Sequence, residues 1–243
     1  ITTNTSVHTV SNWHAWQPQI GGTQDSVLLG DGIELIGVEF LPDYQPSDLN
    51  RYRDSLMELK QSGFNWVIFT PTWKVSILNN LPQLSPNLEQ SMLMMDLADL
   101  VQLAKESGFT VGLYPRLDFS TDSSEWWKNS KRDALWWQQW YQEYERFVIS
   151  YTQFAANTKV DQLILGGVDV SASLPGGVET TIDNKGTPKN ADQLWEALLQ
   201  KVNQYYQGRL LWALPVGESE LPKYTFYDQI DGFYLQFQPP ADN

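Results

Sequence analysis

The sequence predicts an α/β fold of the (β/α)8 TIM-barrel type that is incomplete at the C-terminus of this chain. Three observations support this fold class. Short apolar runs bounded by Gly or Pro alternate with longer segments of helical periodicity, which is typical of repeated βαβ units. Most of these runs end in a polar or aromatic residue that is followed by a turn. The length of 243 residues also suits a single α/β barrel.

Residues 1–32 are polar and rich in Gly, Ser and Thr, which indicates an irregular N-terminal arm. The barrel domain is therefore expected at 33–243. Its first strand covers 33–40, with Glu39 near the C-terminal end. Ser47 is a candidate N-cap for the helix that follows, in which apolar residues recur at helical spacing.

The second strand covers 65–70 and is closed by a Pro-bounded turn that carries Trp73 and Lys74. A segment rich in Pro and Asn, 75–87, is expected to be a loop. A second amphipathic helix follows this loop and leads to the third strand at 109–114. Trp73 lies just past its strand, so we interpret it as a platform for a ligand.

The third strand leads to Arg116 and Asp118, which are two residues apart. In an extended segment both side chains would point to the same side. A neighbouring Arg favours the ionised form of an Asp, which suits a base or a ligand-orienting group. A simple ion pair that braces the mouth of the barrel explains the same spacing, and it is the preferred interpretation.

The segment 124–157 carries aromatic residues at helical spacing, which predicts a helix packed on the sheet. Trp126, Trp127 and Trp136 lie nearer the loop that leaves the third strand, so a ligand-facing role for one of them stays open.

The fourth strand is the apolar run 163–165, which is followed by Gly166 and Gly167 and then by Asp169. An acid at the C-terminal mouth of a buried parallel strand lies where α/β folds place their chemistry. On this context alone, a turn-capping role for Asp169 is equally compatible.

Two further strands are predicted, at 209–214 and 231–237. Glu218 follows the first of them after a Pro-containing turn, and Gln236 and Gln238 lie at the end of the second. About six strands are visible, whereas a closed barrel needs about eight. We therefore expect the natural polypeptide to continue beyond this sequence.

The residues at the strand ends distinguish a barrel from an open sheet. In a barrel these ends converge on one mouth, whereas in an open sheet they spread along an edge. So many carboxylate, amide and aromatic side chains at these positions favour the barrel. The strand-end residues are Glu39, Trp73, Lys74, Arg116, Asp118, Asp169, Glu218, Gln236 and Gln238.

The composition argues against several classes of partner and of catalytic group. With 16 basic and 29 acidic residues the net charge is −13, which argues against nucleic acid and anionic membrane surfaces as partners. No apolar stretch is long enough to cross a bilayer, so no membrane insertion is expected. The chain has no Cys, and His8 and His14 both lie in the arm, so we expect neither a bound metal nor a Ser-His-Asp triad. No nucleotide-binding Gly motif follows any strand, so no cofactor is expected, and acid–base work falls to carboxylates, Tyr or Lys.

The order of motifs GVEF, WVIFTPTW, TVGLYPRLDF, LILGGVD, RLLWALP and IDGFYLQFQPP resembles the glycoside hydrolase TIM barrels of the large retaining clan. It is most similar to β-mannanase-type barrels and to related uncharacterised bacterial extracellular barrels. In such enzymes the fourth strand ends in Gly-Asn-Glu, whose Glu is the general acid/base. Here Gly167, Val168 and Asp169 stand in that place. The family's nucleophile, a Glu at the end of the seventh strand, lies beyond the last residue of this sequence.

The resemblance implies a carbohydrate-active protein that cleaves a β-linked polysaccharide or oligosaccharide through carboxylates at the barrel mouth. It also implies a secreted or cell-surface protein whose signal peptide has been removed, and it leaves open further domains or subunits as partners. The candidate catalytic residues are Asp169, Asp118 and Glu218, with Glu39 as a further possible partner of Asp169. The candidate substrate-binding residues are Glu39, Trp73, Lys74, Arg116, Gln236 and Gln238.

Two alternatives belong to other classes of function. The protein can be a non-catalytic carbohydrate-binding or structural module of an extracellular assembly. The loss of the family's Asn at Val168 and the shorter acid Asp169 favour that alternative. The second alternative is a sugar-phosphate lyase or isomerase, which requires a Lys inside a strand for Schiff-base chemistry. Lys74 is the only lysine near a predicted strand end, so the sequence gives this alternative little support.

Overall fold

A computed structural model describes residues 35, 37–40, 49–87, 91–215 and 223–236. The predicted arm at 1–32, the candidate N-cap Ser47, Glu218 and Gln238 lie outside the described residues. The described residues form nine strands, five α-helices and two short 3-10 segments. In chain order the strands and α-helices are β1 (Gly37–Phe40), α1 (Leu49–Gln61), β2 (Trp66–Phe69), β3 (Thr72–Leu78), β4 (Leu81–Pro86), α2 (Met94–Glu106), β5 (Thr110–Leu113), β6 (Arg116–Asp118), α3 (Ser123–Asn129), α4 (Ala134–Thr158), β7 (Gln162–Gly166), α5 (Ala191–Tyr205), β8 (Arg209–Pro215) and β9 (Gly232–Gln236).

The main sheet contains six parallel strands in the order β1-β2-β5-β7-β8-β9. These are the six strands that the sequence predicts, and they run in sequence order across the sheet. The sheet curls far enough for the hydroxyl of Tyr234 in β9 to lie 2.7 Å from Glu39 in β1. The described part of the chain is therefore a curled half-barrel, in agreement with the predicted α/β class.

The four inner strands of the main sheet, β2, β5, β7 and β8, are buried on both faces. Because side chains alternate along a strand, one set faces the helices and the other faces the concave side of the curl. Val111, Leu163 and Trp212 belong to the larger core beneath the helices. Ile68 and Ile164 belong to a smaller cluster on the other face. Burial on both sides explains why these strands appear as continuous apolar runs rather than as alternating patterns.

The predicted aromatic helix at 124–157 is interrupted. Asp122 accepts hydrogen bonds from the first turn of α3, and Asp133 accepts one from the amide of Trp136 at the start of α4. Two N-caps within one aromatic segment divide it into two helices, because each cap satisfies the free amides of a new helix start. The prediction that this segment packs on the sheet is confirmed, since α4 contributes ten buried residues.

Five tryptophans from these two helices form a buried cluster, which we call the tryptophan cluster. Each is at most 7% exposed, and neighbouring rings are 4.5–6.0 Å apart. Its members are Trp126, Trp127, Trp136, Trp137 and Trp140. These rings are therefore core residues of the layer that covers the sheet. None of the described helices is apolar over enough length to cross a membrane.

The segment 75–87 is a β-hairpin where the sequence predicts a loop. β3 and β4 pair antiparallel, and Asn79 and Asn80 form the two-residue turn with φ of 52° and 64°. Asn adopts this left-handed region more readily than most residues, and tight hairpin turns require it. Pro82 and Pro86 suggested a loop, but β4 is an edge strand of the second sheet, where Pro is tolerated.

Candidate active site

The turn after β7 is built from two glycines. Gly166 and Gly167 have φ of 84° and 95°, a conformation that other residues rarely adopt. A Cβ at Gly166 would overlap the ring of Trp212, and one at Gly167 would overlap the hydroxyl of Tyr114. The two glycines therefore let the chain turn sharply from β7 into the 3-10 segment Val168–Ser173, in which Asp169 is the second residue.

Asp169 is held from two sides. Its Oδ2 lies 3.4 Å from Nη2 of Arg116, and its side chain is 18% exposed. Its backbone carbonyl accepts a hydrogen bond of 2.9 Å from the indole N–H of Trp127. Asp169 is thus partly accessible at the carboxyl end of the fourth strand of the main sheet, with a guanidinium beside its carboxylate.

The preferred interpretation of an ion pair between Arg116 and Asp118 is not what the structure shows. Both residues lie in β6 and share one face of it, as the spacing predicts. Arg116 pairs with Asp169, whereas Oδ2 of Asp118 accepts a hydrogen bond of 2.8 Å from Asn87. The reason is the curl of the sheet, which brings the turn after β7 towards Arg116 and leaves Asp118 near the end of the hairpin.

Glu39 faces the concave side of the sheet and accepts the hydrogen bond from Tyr234. The ring of Tyr234 meets the ring of Tyr114 edge to face at 5.8 Å. The hydroxyl of Tyr114 lies 3.4 Å from Oε1 of Gln236, and the guanidinium of Arg116 lies 5.6 Å above the Tyr114 ring. A continuous line of contacts therefore connects Glu39, through two tyrosines, to the pair of Arg116 and Asp169.

The electrostatics of this line keep its donors protonated. Burial raises the pKa of Tyr114 above its ordinary value, and the neighbouring Asp169 and Glu39 add to the effect, while Arg116 opposes it. Burial likewise raises the pKa of Tyr234, and Glu39 raises it further. For Arg116, burial lowers the pKa, but Tyr114, Asp169 and Glu39 outweigh it, so its pKa is raised and the guanidinium stays charged. Arg116, Glu39 and Asp169 are the partly exposed charged members of this line and can contact the hydroxyls of a polar substrate, whereas Tyr114 is buried behind them.

Two predicted binding residues occupy other surroundings. Trp73 is only 4% exposed and packs against Phe147 and Tyr151, with the cation of Arg146 over its ring. It lies inside the core and not at the surface expected of a ligand platform, because the chain continues as β3 and turns this side chain inward. Lys74 is exposed and lies opposite Asp118 in the β3–β6 register.

Sequence reasoning missed Tyr114 and Tyr234 as members of the site. A signal existed for the two tyrosines. Tyr114 is the residue that ends the third predicted strand, and Tyr234 shares the parity of Gln236 in the sixth. The position of Trp127 near the loop after the third strand left a ligand-facing role open, but Trp127 is buried and contacts the backbone of Asp169, 42 positions away, which the sequence does not predict.

Two cavities among the described residues lie away from this line of contacts. One, of about 670 Å³, lies between α4 and α5 and is lined by Trp137 and Tyr141. The other, of about 530 Å³, is lined by residues around the N-terminal ends of β7 and β8. The described residues also include no cluster of three or more His, Asp or Glu side chains suited to a metal ion.

A curled parallel sheet with helices on its outer face and carboxylates at the carboxyl ends of its strands is the architecture of the glycoside hydrolase barrels. Residues 47–242 match the model of Glycoside Hydrolase Family 113, so the chain belongs to that family. The resemblance to β-mannanase-type barrels is thereby confirmed. A search of the curated proteins gives no match.

Solved structures of the same family share the fold. A GH113 β-1,4-mannanase superposes with a TM-score of 0.64 at 18% identity, covering 83% of this chain and 61% of that one. The GH113 β-mannanase AaManA from Alicyclobacillus acidocaldarius, in complex with ManMIm, gives 0.61 at 17% identity, covering 83% and 59%. The chain thus spans about three fifths of the length of these structures.

Proposed function

We propose that the protein is a glycoside hydrolase that cleaves a β-linked polysaccharide, with Asp169 as the acid/base. The observation that carries the proposal is the position of Asp169. It lies at the carboxyl end of the fourth parallel strand of a family 113 chain, partly exposed and oriented by Arg116. β-1,4-Mannan is the first substrate to test, because solved structures of the family are those of β-1,4-mannanases.

The reaction needs a proton at the glycosidic oxygen when the bond breaks. Asp169 would supply this proton, and in a retaining enzyme it would then take one from the attacking water. A second carboxyl group is required, about 5–5.5 Å away for retention or about 6.5–9.5 Å away for inversion. Within the described residues we assign that role to Asp118, with Glu39 as the alternative. Glu39 accepts a hydrogen bond from Tyr234, whereas Asp118 accepts one from Asn87, so a substitution of each residue tests its role separately.

The remaining members of the site suit the recognition of a sugar. Glu39, Gln236 and Arg116 present acceptors and donors on the concave side of the sheet, where a neutral polyol can satisfy them. We assign them to substrate binding. Because a polysaccharide is too large to enter a cell, we also propose that the protein acts outside the cell or on its surface.

The test is the release of reducing sugar from β-1,4-mannan and from β-1,4-glucan by the full-length protein and by Asp169→Asn. Loss of the acid/base should lower kcat by about 10²–10⁴-fold. Asp183→Asn is the matched control, since Asp183 is exposed in the loop that follows the same strand. Its activity should equal that of the wild type. A wild-type protein that binds these glycans without cleaving them would instead identify a non-catalytic binding module.

A further inference from the structure

A buried indole N–H is aimed at the backbone of Asp169. Trp127, in α3, is 3% exposed, and its Nε1 donates the hydrogen bond of 2.9 Å to the carbonyl oxygen of Asp169. We propose that Trp127 is a positioning residue, whose indole N–H fixes the backbone at Asp169 so that the carboxyl group is held at one place in the mouth. The proposal rests on the assignment of Asp169 as the acid/base.

The turn that carries Asp169 needs an external anchor. Gly166 and Gly167 precede it, and glycines allow more backbone conformations than any other residue. The segment that follows is a 3-10 helix, whose internal bond from the amide of Val170 to Gly167 is 3.3 Å long. The ion pair to Arg116 is also long, at 3.4 Å. Shorter bonds hold the two ends of the segment, where Gly167 donates to Ala213 at 3.0 Å and Ser173 accepts from Tyr141 at 2.6 Å. The bond of 2.9 Å from Trp127 reaches the backbone of Asp169 itself, so it restrains the turn at the residue that carries the carboxyl group.

Trp127 is itself held rigidly. Its ring meets that of Trp140 at 4.5 Å and that of Trp126 at 5.1 Å within the tryptophan cluster. Its backbone carbonyl accepts a hydrogen bond from the guanidinium of buried Arg132. At the other end of α3, Asp122 caps the amides of the first turn. The donor is therefore fixed by packing and by hydrogen bonds, as a residue that orients a catalytic group must be.

The tryptophan cluster provides a matched control. Trp140 is fully buried in the same cluster, but among the described residues its indole N–H has no hydrogen-bond partner. Trp127→Phe and Trp140→Phe both replace an indole by a phenyl ring in the same surroundings. Only Trp127→Phe removes a bond to Asp169, so a difference between the two variants isolates that bond from the loss of packing.

The first measurement is hydrogen–deuterium exchange of residues 167–173, which requires no activity. Loss of one hydrogen bond should raise the exchange of this segment about tenfold in Trp127→Phe. After correction for global stability from urea unfolding, Trp140→Phe should exchange like the wild type. Equal exchange in both variants would overturn the proposal.

The second measurement is kinetic. Trp127→Phe should lower kcat about tenfold and leave KM within about twofold, because a misplaced acid/base affects the reaction and not the binding of substrate. In the Asp169→Asn background the same substitution should cause no further loss. A loss that persists there would mean a purely structural role. If the wild type is inactive on all glycans, the proposed function fails, while the exchange experiment still decides whether Trp127 anchors the turn.

Discussion

The hydroxyl of Tyr234 donates a hydrogen bond of 2.7 Å to Glu39, a residue 195 positions earlier in the chain. The two residues lie in β9 and β1, the two outermost strands of the six-stranded sheet. The bond crosses the concave side of the curl and passes beside Tyr114, which connects it to Arg116 and Asp169. The same contact thus helps to define the curvature of the sheet and joins the first strand to the candidate active site.

Removal of this hydroxyl should destabilise the fold. Tyr234→Phe leaves a half-buried carboxylate without its donor, so we expect the free energy of unfolding to fall by about 1–3 kcal/mol. The measurement is urea denaturation followed by circular dichroism. Tyr205→Phe is the control, because Tyr205 is half exposed at the end of α5 and should change stability by less than about 0.5 kcal/mol. Equal stability of both variants would show that the cross-sheet bond contributes nothing.

The amide variant of Glu39 separates a binding role from a catalytic one. If Glu39 binds a sugar hydroxyl, Glu39→Gln should raise KM about five- to tenfold and change kcat by less than about threefold. The amide keeps an acceptor, but it loses the charge that strengthens the hydrogen bond. Steady-state kinetics on mannan should be compared with those of Asp118→Asn. A loss of kcat as large as that of Asp169→Asn would instead make Glu39 the second carboxyl group.

Alkaline pH should unfold the protein. Burial is the largest cause that raises the pKa of each of six tyrosines above its ordinary value of 10.0, so the unfolded state loses these protons first. Stability is therefore complete below about pH 10 and declines as the pH rises above it. The six tyrosines are Tyr114, Tyr141, Tyr144, Tyr151, Tyr206 and Tyr234.

The measurement is the absorbance of tyrosinate at 295 nm, followed together with circular dichroism. The absorbance of these six groups should rise only when the protein unfolds, so the two transitions should coincide. Reversible titration of all eleven tyrosines near pH 10, with the circular dichroism of the folded protein retained, would contradict the prediction.

Gly167 should tolerate no side chain. In Gly167→Ala the positive φ strains the backbone, and the added Cβ overlaps the hydroxyl of Tyr114. We therefore expect the free energy of unfolding to fall by about 2–4 kcal/mol. Gly176→Ala is the control, because its φ is 76° but nothing lies within 4 Å of the added Cβ. It should cost about 1–2 kcal/mol, from the backbone alone. Tyr114→Phe should recover part of the loss at Gly167, since it removes the hydroxyl that overlaps.

The residue pattern alone was sufficient to predict the class of fold and to place Asp169 at the end of a strand. The inner strands of the parallel sheet are buried on both faces, so their apolar runs and their flanking Gly or Pro are local signals. The hairpin of β3 and β4 escaped detection because its two prolines are acceptable only in an edge strand. That position depends on which strands pair, and local sequence does not record pairing.

The hydrogen-bond and ion-pair partners of the site residues could be identified only from the tertiary structure. From the sequence, Arg116 has Asp118 two positions away, yet it pairs with Asp169, and Trp73 turns into the core. The contact of Trp127 with Asp169 and that of Tyr234 with Glu39 join residues that are far apart in the chain. Periodicity reports which face of an element is apolar, but the curl and the register of the sheet decide which polar groups meet across it.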